Sequence, residues 1–335
     1  MAITIKDVAK KAGVSTTTVS KVLNNVPTIS EATASRIKQI MKEMDYHPNR
    51  RAQNFARQST RTILLVTSLE KNAAFENPHM FETMVGLQNA LSKKNYSLNI
   101  VGIRKDNGLD VLRDVISQKS VDGIVLHISI ITKELENLII EADFPNIVLG
   151  CPEYKTQLCW IDNDNTLSGE LAAKHLLSIG YNTIGFIGGR KNDIGSTCRL
   201  EGVKHVLDQQ EVTVENEYVQ LGESSIESGY EMMNKLLKSK DKPDAVVCAN
   251  NYLALGAFKA IQASGIKIPE DIGIVTFDAY PFTKTTDPNL TTIDIDVYDL
   301  GKQAGESILQ ILKKPNLKIQ TYRTLATLIE NGSTK

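Results

Sequence analysis

A short stretch near the amino terminus carries hydroxyl side chains and one long cation, in the order Thr16-Thr17-Thr18-Val19-Ser20-Lys21. Short hydroxyls can approach phosphate oxygens closely, and a lysine can donate to O6 and N7 of guanine in the major groove. If the stretch is helical, Ser15, Thr18 and Ser20 suit phosphates, whereas Thr16, Thr17 and Lys21 suit base edges. An ordinary exposed polar helix surface is the alternative interpretation.

Three short helices are predicted around this stretch. The first is indicated by apolar residues at helical spacing from Ile5 to Ala12, and Gly13 ends it. Ser15 can cap a second helix that runs from Thr16 to about Asn24, and Ser30 can cap a third. A turn of about three residues between two short helices is typical of a helix-turn-helix, whose second helix can enter a major groove.

The charge distribution is uneven along the chain. Residues 1–60 contain ten Lys and Arg against four Asp and Glu, a balance of +6. The 335-residue chain has a formal net charge of −1, so the remainder carries −7. A basic head on an acidic body is typical of a nucleic-acid reader joined to a unit with another task. A lysine-rich solvated surface would give the same balance without that function.

About sixty residues follow a familiar pattern almost position by position: Thr4-Ile5-Lys6-Asp7-Val8-Ala9, Ala12-Gly13-Val14-Ser15, Thr18-Val19-Ser20-Lys21-Val22-Leu23-Asn24 and Tyr46-His47-Pro48-Asn49. This pattern resembles the headpiece of the lac-repressor (LacI/GalR) family. The resemblance implies that the headpiece reads a half-site of double-stranded operator DNA, with Thr16, Thr17 and Lys21 as specificity positions. It implies phosphate contacts at Thr4, Ser15, Thr18, Asn24, Ser30 and Thr33.

The next segment, Arg50-Arg51-Ala52-Gln53-Asn54-Phe55-Ala56-Arg57, resembles the hinge helix of that family. The resemblance makes Phe55 the side chain that wedges into the minor groove, where most members have leucine, and adds Asn49 and Ala52 to the DNA contacts. A plain linker with an incidental phenylalanine is the alternative. The expected division is a headpiece over 1–47, a hinge over 48–60 and an effector-binding and dimerisation domain over 61–335.

From residue 61 onward, short apolar runs alternate with helical stretches. The predicted strands are 63–66, 98–101, 124–126, 147–149, 184–187, 245–248, 272–277 and 291–295, and the clearest crossover helices are 80–91, 167–177 and 252–263. This alternation predicts an α/β domain of two doubly wound parallel-sheet lobes. The resemblance implies a periplasmic-binding-protein-like arrangement. We place the N-lobe at about 61–161 and 292–320, and the C-lobe at about 162–291 and 321–330.

Three motifs indicate a ligand between the lobes, at the ends of the strands. Each resembles a family motif: Arg199 in Ser196-Thr197-Cys198-Arg199-Leu200-Glu201-Gly202, Asn250 in Ala249-Asn250-Asn251, and Asp278 in Val275-Thr276-Phe277-Asp278. The planar fork of an arginine suits vicinal hydroxyls, and a carboxylate accepts hydrogen bonds from sugar hydroxyls. Together they would favour a polyhydroxylated ligand, although each residue alone could be a packed or capping residue.

Two segments of the first lobe resemble the subset of the family that regulates maltose or other glucoside operons. These segments are Phe75-Glu76-Asn77-Pro78-His79-Met80-Phe81 and Trp160-Ile161-Asp162-Asn163-Asp164-Asn165. His79 and Asp162 would line the cleft, with ordinary loop capping as the alternative. Ser224 stands where relatives offer a ring, so aromatic stacking would come from Phe75, Trp160, Tyr252 or Phe282.

Other classes of protein find little support in the sequence. Charged residues at the start of the chain and the lack of an apolar run near ~18 residues lead us to expect neither export nor a membrane partner. Four cysteines without a CxxC spacing suggest no metal site and fit a reducing cytoplasm. Phosphate-loop, nucleophile-elbow and HExxH motifs are absent, so we expect neither an enzyme nor a cofactor. A free-standing solute-binding protein would not need the basic headpiece.

The sequence therefore predicts a cytoplasmic, homodimeric, allosteric regulator of transcription, most simply a repressor, controlled by a small-molecule effector of the sugar class. Two headpieces on a two-fold axis supply the contacts that one lacks. A tetramer is not expected because only Glu330-Asn331-Gly332-Ser333-Thr334-Lys335 follows Ile329. A catabolite-control type of regulator, gated by a protein co-effector, is the alternative. The direction of the effector's action stays open.

Overall fold

The computed structural model describes residues 3–24, 26–47, 59–69, 78–104, 107–152, 154–210, 212, 216–279, 281–315 and 321–335. The predictions for the hinge helix and for Asn49, Ala52, Phe55 and Phe75 fall outside these residues, as does the side chain of Phe282. Among the described residues, no helix combines the length and apolar character needed to cross a membrane.

The amino-terminal part is a bundle of three helices, α1 (Ile5–Ala12), α2 (Thr16–Leu23) and α3 (Glu31–Glu43). The predicted bounds of the first two helices are confirmed to within a residue. Gly13 ends α1 with a left-handed φ of 63°, a conformation that costs glycine little. Val8, Val19 and Ile37, one from each helix, are fully buried, so three short helices close one small core.

The first lobe contains a six-stranded sheet in the order β2-β1-β3-β4-β5-β11. Its strands are β1 (Thr62–Thr67), β2 (Ser97–Gly102), β3 (Gly123–His127), β4 (Asn146–Leu149), β5 (Trp160–Asn163) and β11 (Thr321–Thr324). Its helices are α4 (Pro78–Ser92), α5 (Gly108–Ser117), α6 (Lys133–Glu141) and α11 (Val297–Lys313). Ile63 and Leu65 pack into one apolar cluster, whereas Leu64 and Val66 pack into another. Both faces are therefore covered, as parallel sheets require.

The second lobe repeats the same strand order, β7-β6-β8-β9-β10-β12. Its strands are β6 (Ile184–Gly188), β7 (Val219–Leu221), β8 (Ala245–Cys248), β9 (Gly273–Phe277), β10 (Thr291–Asp294) and β12 (Thr327–Ile329). Its helices are α7 (Asn165–Ser178), α8 (Ile194–Gln209), α9 (Ile226–Leu237) and α10 (Asn251–Ala263). The prediction of two doubly wound lobes is confirmed, with one departure: the edge strand β12 is antiparallel to β10.

Strand pairing corrects three of the predicted lobe boundaries. Residues 162–163 belong to β5, which pairs with β4 and β11 in the first lobe. Residues 292–293 pair with β9 and residue 294 pairs with β12 in the second lobe, whereas residues 321–324 pair with β5 in the first. The chain therefore crosses between lobes directly after three strand ends. The sequence does not mark these points because β5, β10 and β11 are only four residues long and two of them are partly exposed.

The carboxyl-terminal residues are built into the second lobe. The Ser333 side chain is fully buried, accepts a hydrogen bond from the Thr291 backbone N at 2.8 Å and donates to Ile274 O at 2.6 Å. Thr334 Oγ1 lies 2.8 Å from Thr291 Oγ1 and 3.1 Å from His175 Nε2. The second lobe thus extends beyond residue 330, where the sequence placed its end.

Candidate functional site

The second helix of the headpiece presents the residues predicted to read bases. Thr16, Thr17 and Lys21 are exposed on α2, whereas Val19 and Val22 are buried against the other two helices. Packing thus fixes which face of α2 is free for a partner. That this face contacts base edges stays a prediction.

Several predicted phosphate contacts cap helices in the headpiece. Ser15 Oγ accepts a hydrogen bond from Thr18 N at 3.1 Å and lies 2.9 Å from Thr18 Oγ1. Ser30 and Thr33 repeat this arrangement at the start of α3, with 3.3 Å from Thr33 N to Ser30 Oγ. Thr4 caps α1 through Asp7, and Asn24 donates to Ser20 O. Capped helix starts present backbone N–H groups and a positive dipole end, which suits them to phosphate.

A cavity of about 810 Å³ lies between the two lobes. It is lined by residues at the carboxyl ends of β3, β4, β5, β8 and β9 and at the amino ends of α4, α7, α8 and α10. Ligands of doubly wound folds bind at this end of a parallel sheet, because diverging connections leave a crevice there. The cavity brings together five predicted residues, namely His79, Asp162, Arg199, Asn250 and Asp278.

Asp278 joins the lobes across the cavity. It follows β9 with a left-handed φ of 70° and is 6% exposed. His79, on α4 of the first lobe, places Nε2 3.1 Å from Asp278 Oδ2. Oδ1 of Asp278 is buried and has no hydrogen-bond partner among the described residues. Burial opposes ionisation, but the hydrogen bond from His79 and the charge of Arg199 outweigh it and hold the pKa of Asp278 below its ordinary value.

Arg199 is held on three sides and is 8% exposed. Its Nε donates to Asn165 Oδ1 at 2.9 Å, its Nη1 donates to Ala249 O at 2.5 Å, and its guanidinium carbon lies 4.2 Å from the centre of the Phe277 ring. A guanidinium fixed in this way loses little side-chain entropy on binding a ligand. The contacts use Nε and Nη1, so Nη2 is the nitrogen that can serve a ligand in the cavity.

Close packing of α7 and α8 positions Arg199. A Cβ added to Gly169 would lie 2.0 Å from Arg199 O, and one added to Gly202 would lie 2.0 Å from Thr166 O. Only hydrogen atoms fit at these two crossings, so the helices approach more closely than larger residues allow. Asn165, at the start of α7, then reaches both Arg199 and the carboxylate of Asp162.

Asp162 extends this network to the first lobe. Its carboxylate accepts hydrogen bonds from Cys151 N at 3.0 Å, Asn163 N at 2.8 Å and Asn165 Nδ2 at 3.4 Å. Burial nevertheless raises the pKa of Asp162. The side chain therefore faces the cavity as a well-ordered acceptor that is protonated more readily than an exposed aspartate.

His127 is a cavity residue that sequence reasoning missed. It ends β3, and its Nδ1 accepts from Ser129 N at 3.3 Å and lies 2.8 Å from Ser129 Oγ. Burial lowers the pKa of His127 to about 4. The ring is therefore neutral at pH 7, with the proton on Nε2 because Nδ1 accepts a backbone hydrogen bond. The sequence offered one signal for His127 as a cavity residue, namely a polar side chain directly after the predicted strand 124–126.

Comparison with known proteins agrees with this architecture. Residues 4–49 match the family model described as bacterial regulatory proteins, lacI family, and residues 173–334 match a periplasmic binding protein-like domain. The HTH-type transcriptional repressor PurR of Haemophilus influenzae (strain PittEE) is 31% identical over 326 residues, 95% of this chain and 94% of that protein. The chain belongs to the LacI family.

Further similarities cover the whole length of this LacI-family regulator of transcription. The HTH-type transcriptional regulator MalR of Streptococcus pneumoniae serotype 4 is 31% identical over 331 residues, 97% of this chain and 98% of that protein. A transcriptional regulator CelR–cellobiose complex has a TM-score of 0.74 at 26% identity, covering 99% of both chains. The lac repressor dimer bound to operator and the anti-inducer ONPF shares the fold, with a TM-score of 0.80 at 23% identity, covering 100% of this chain and 99% of that one.

Asn250 and the aromatic candidates of this LacI-family cavity meet the sequence-based expectation only in part. Asn250 caps α10, accepting from Leu253 N at 3.0 Å, so its amide nitrogen is the part left to face a ligand. Trp160 does not line the cavity. It lies two residues before Asp162 on the same face of β5, away from the carboxyl end, and packs on the first-lobe core near Arg323. Tyr252 and Ser224 do line the cavity, and so does Tyr154, which the sequence did not single out.

Proposed function

We propose that this regulator binds an operator through paired headpieces and changes its operator affinity when a sugar occupies the cavity between its lobes. The observation that carries the effector class is Asp278, a residue that lines the cavity and whose buried Oδ1 has no hydrogen-bond partner among the described residues. A buried acceptor left unsatisfied costs about 1–3 kcal/mol, so a ligand that donates a hydrogen bond there gains that amount. Sugar hydroxyls are such donors.

The balance of charge in the cavity supports an uncharged effector. Among the residues that the structure describes, Asp162, Asp193 and Asp278 line it together with one guanidinium, that of Arg199. Phosphorylated sugars would meet this excess of carboxylates at close range, where repulsion is screened least. The cellobiose bound in the related CelR complex is likewise an uncharged sugar. We therefore propose an unphosphorylated mono- or disaccharide.

Dimerisation would use the outer edges of the two sheets. β2 and β7 are the edge strands at corresponding positions, and each carries a large exposed apolar residue, Ile100 and Leu221. Phe81 on α4 is 58% exposed and Tyr230 on α9 is 39% exposed. Open strand edges and apolar side chains left in water favour association with another chain. A second copy would cover them and pair the headpieces.

The test uses purified full-length protein in two steps. A thermal-shift screen with mono- and disaccharides, their phosphate esters and heterocyclic bases identifies the effector, because a ligand bound only to the native state raises the melting temperature. An operator selected from random duplexes is then compared with a scrambled duplex at moderate salt, with and without that effector. Equal affinity for both duplexes would refute the proposal. A shift with heterocyclic bases alone would refute the sugar class, and a shift with phosphate esters alone would refute an unphosphorylated effector.

A further inference from the structure

One carboxylate fastens the start of the first lobe to the chain that arrives from the headpiece. Asp122, directly before β3, accepts hydrogen bonds at Oδ1 from Thr60 N at 2.6 Å and Thr60 Oγ1 at 2.8 Å. At Oδ2 it accepts from Arg61 N at 3.1 Å and from Ser59 Oγ. Its own backbone N donates to Thr62 O at 2.9 Å. Four consecutive residues are therefore held by a single aspartate, which we call the arm clamp.

The second lobe has the same device at the equivalent position. Asp244 directly precedes β8, the counterpart of β3 in the repeated strand order. Its carboxylate accepts from Asn182 N at 2.9 Å and Thr183 N at 2.9 Å, and its backbone N donates to Thr183 O. An aspartate that fastens the segment before the first strand is thus part of the architecture of both lobes, and in the second lobe it has no DNA-binding arm to hold.

The arm clamp is more elaborate than its counterpart. Ser59 and Thr60 add two hydroxyl donors, whereas the Asp244 carboxylate receives two backbone N–H groups among its described contacts. Arg61, with a left-handed φ of 53°, donates to Lys94 O at 3.3 Å and stacks 4.9 Å from the centre of the Tyr96 ring. Among the described parts of the two lobes, these extra contacts occur in the lobe whose first strand continues from the headpiece.

The arm clamp and the cavity share one strand. β3 begins directly after Asp122 and ends at His127, which lines the cavity. Five residues of strand span roughly 16 Å, and a strand in the middle of a sheet moves as a rigid unit. Any displacement of β3 that accompanies ligand binding therefore reaches residues 59–62 without an intervening flexible segment.

We infer that Asp122 is a positioning residue for DNA binding: it fixes the direction in which the headpiece arm leaves the first lobe and passes the state of the cavity to it through β3. The inference rests on the proposed function. It assigns to the carboxylate a role beyond stability, because a loosened arm lets the headpieces sample separations that do not fit two half-sites. Asp122 itself is not among the residues that line the cavity.

The experiment compares D122N with D244N in the full-length protein. Both substitutions keep the side-chain size and replace one acceptor oxygen by a donor that faces N–H groups, so both are expected to lower the melting temperature. Only D122N is expected to weaken operator binding, on the order of tenfold, and to reduce the ratio of operator affinities with and without effector. Calorimetric affinity for the effector should stay at the wild-type value in both variants.

A gentler variant keeps the test decisive if D122N does not fold. S59A/T60V removes the two hydroxyl donors, together with the 3.3 Å hydrogen bonds that they accept from Arg61 N and Thr62 N, but keeps the bonds from Thr60 N and Arg61 N to the carboxylate. It should therefore change operator binding in the same direction by a smaller factor. Equal operator affinities for D122N, D244N and wild type would overturn the inference, as would equal losses in both aspartate variants below their melting temperatures. Failure of the wild type to distinguish operator from scrambled DNA would instead count against the proposed function.

Discussion

Acid should destabilise the first lobe through His127, and the effect is large enough to measure. Its pKa falls from 6.5 in the unfolded chain to about 4 in the folded protein, because burial disfavours the charged ring. Between these pH values the unfolded chain binds a proton that the folded protein does not. The contribution of His127 to the free energy of unfolding is therefore fully present above pH 6.5 and is lost progressively as the pH falls to about 4. The total loss is about 3 kcal/mol at 1.36 kcal/mol per pKa unit.

The assay is urea unfolding between pH 7 and pH 4, followed by the fluorescence of Trp160. This is the only tryptophan of the chain and lies in the same lobe as His127, so it reports the unfolding of that lobe. His127→Gln keeps a donor and an acceptor of similar reach but does not titrate. Its free energy of unfolding should fall less steeply with acid than that of the wild type. Parallel profiles for the two proteins would refute the reasoning.

A matched control separates His127 from a general loss of histidine. His205→Gln removes an exposed histidine of α8 that pairs with Gln209. The change in the pH profile should be larger for His127→Gln than for this control. Some acid dependence will remain in His127→Gln, because burial also lowers the pKa of His175 in the second lobe.

The other predictions concern base recognition in the operator, effector binding and the packing of the second lobe. Lys21→Ala should weaken operator binding by roughly 1–3 kcal/mol and relax base preference at one position, measured by anisotropy on single-base operator variants; an equal loss on random DNA would contradict it. Asp278→Asn should abolish the effector-induced thermal shift while operator affinity is retained, and a normal shift would exclude Asp278 from the site. Ser333→Ala should cost about 1–3 kcal/mol of stability in thermal unfolding because Thr291 N and Ile274 O lose their partner. Gly169→Ala should separate α7 from α8, displace Arg199 and weaken effector binding in calorimetry, with unchanged affinity as the contrary result.

Most of the fold could be predicted from the sequence, because the buried central strands are also the clearest apolar runs in the sequence. β1, β3, β8 and β9 are buried apolar runs, and each was predicted to within two residues. The missed strands β5, β7, β11 and β12 are three or four residues long and partly exposed, so their pattern differs little from that of a loop. Their pairing is decided by the strands beside them.

The site was less predictable than the fold, and the reason differs from residue to residue. Arg199 and Asp278 were predicted from their resemblance to family motifs, and both line the cavity. A residue directly after a buried strand or at the start of a helix can take few other positions. Trp160 was predicted as a stacking candidate, but it lies two residues before Asp162, and only the end of β5 reaches the cavity. Asn165 contributes through tertiary contacts with Asp162 and Arg199, which no local pattern encodes.

The link between effector and lobe closure follows from where the unsatisfied group lies. Asp278 belongs to the second lobe, and its described partner His79 belongs to the first, so the hydrogen bond between them exists only while the lobes are close together. In that arrangement Oδ1 is buried and unsatisfied, at a cost of about 1–3 kcal/mol. A ligand hydroxyl that donates to Oδ1 removes the cost from the closed arrangement alone, since water supplies the same hydrogen bond when the cleft is open. By that difference a sugar bound as proposed would shift the equilibrium towards closure by roughly five- to 150-fold.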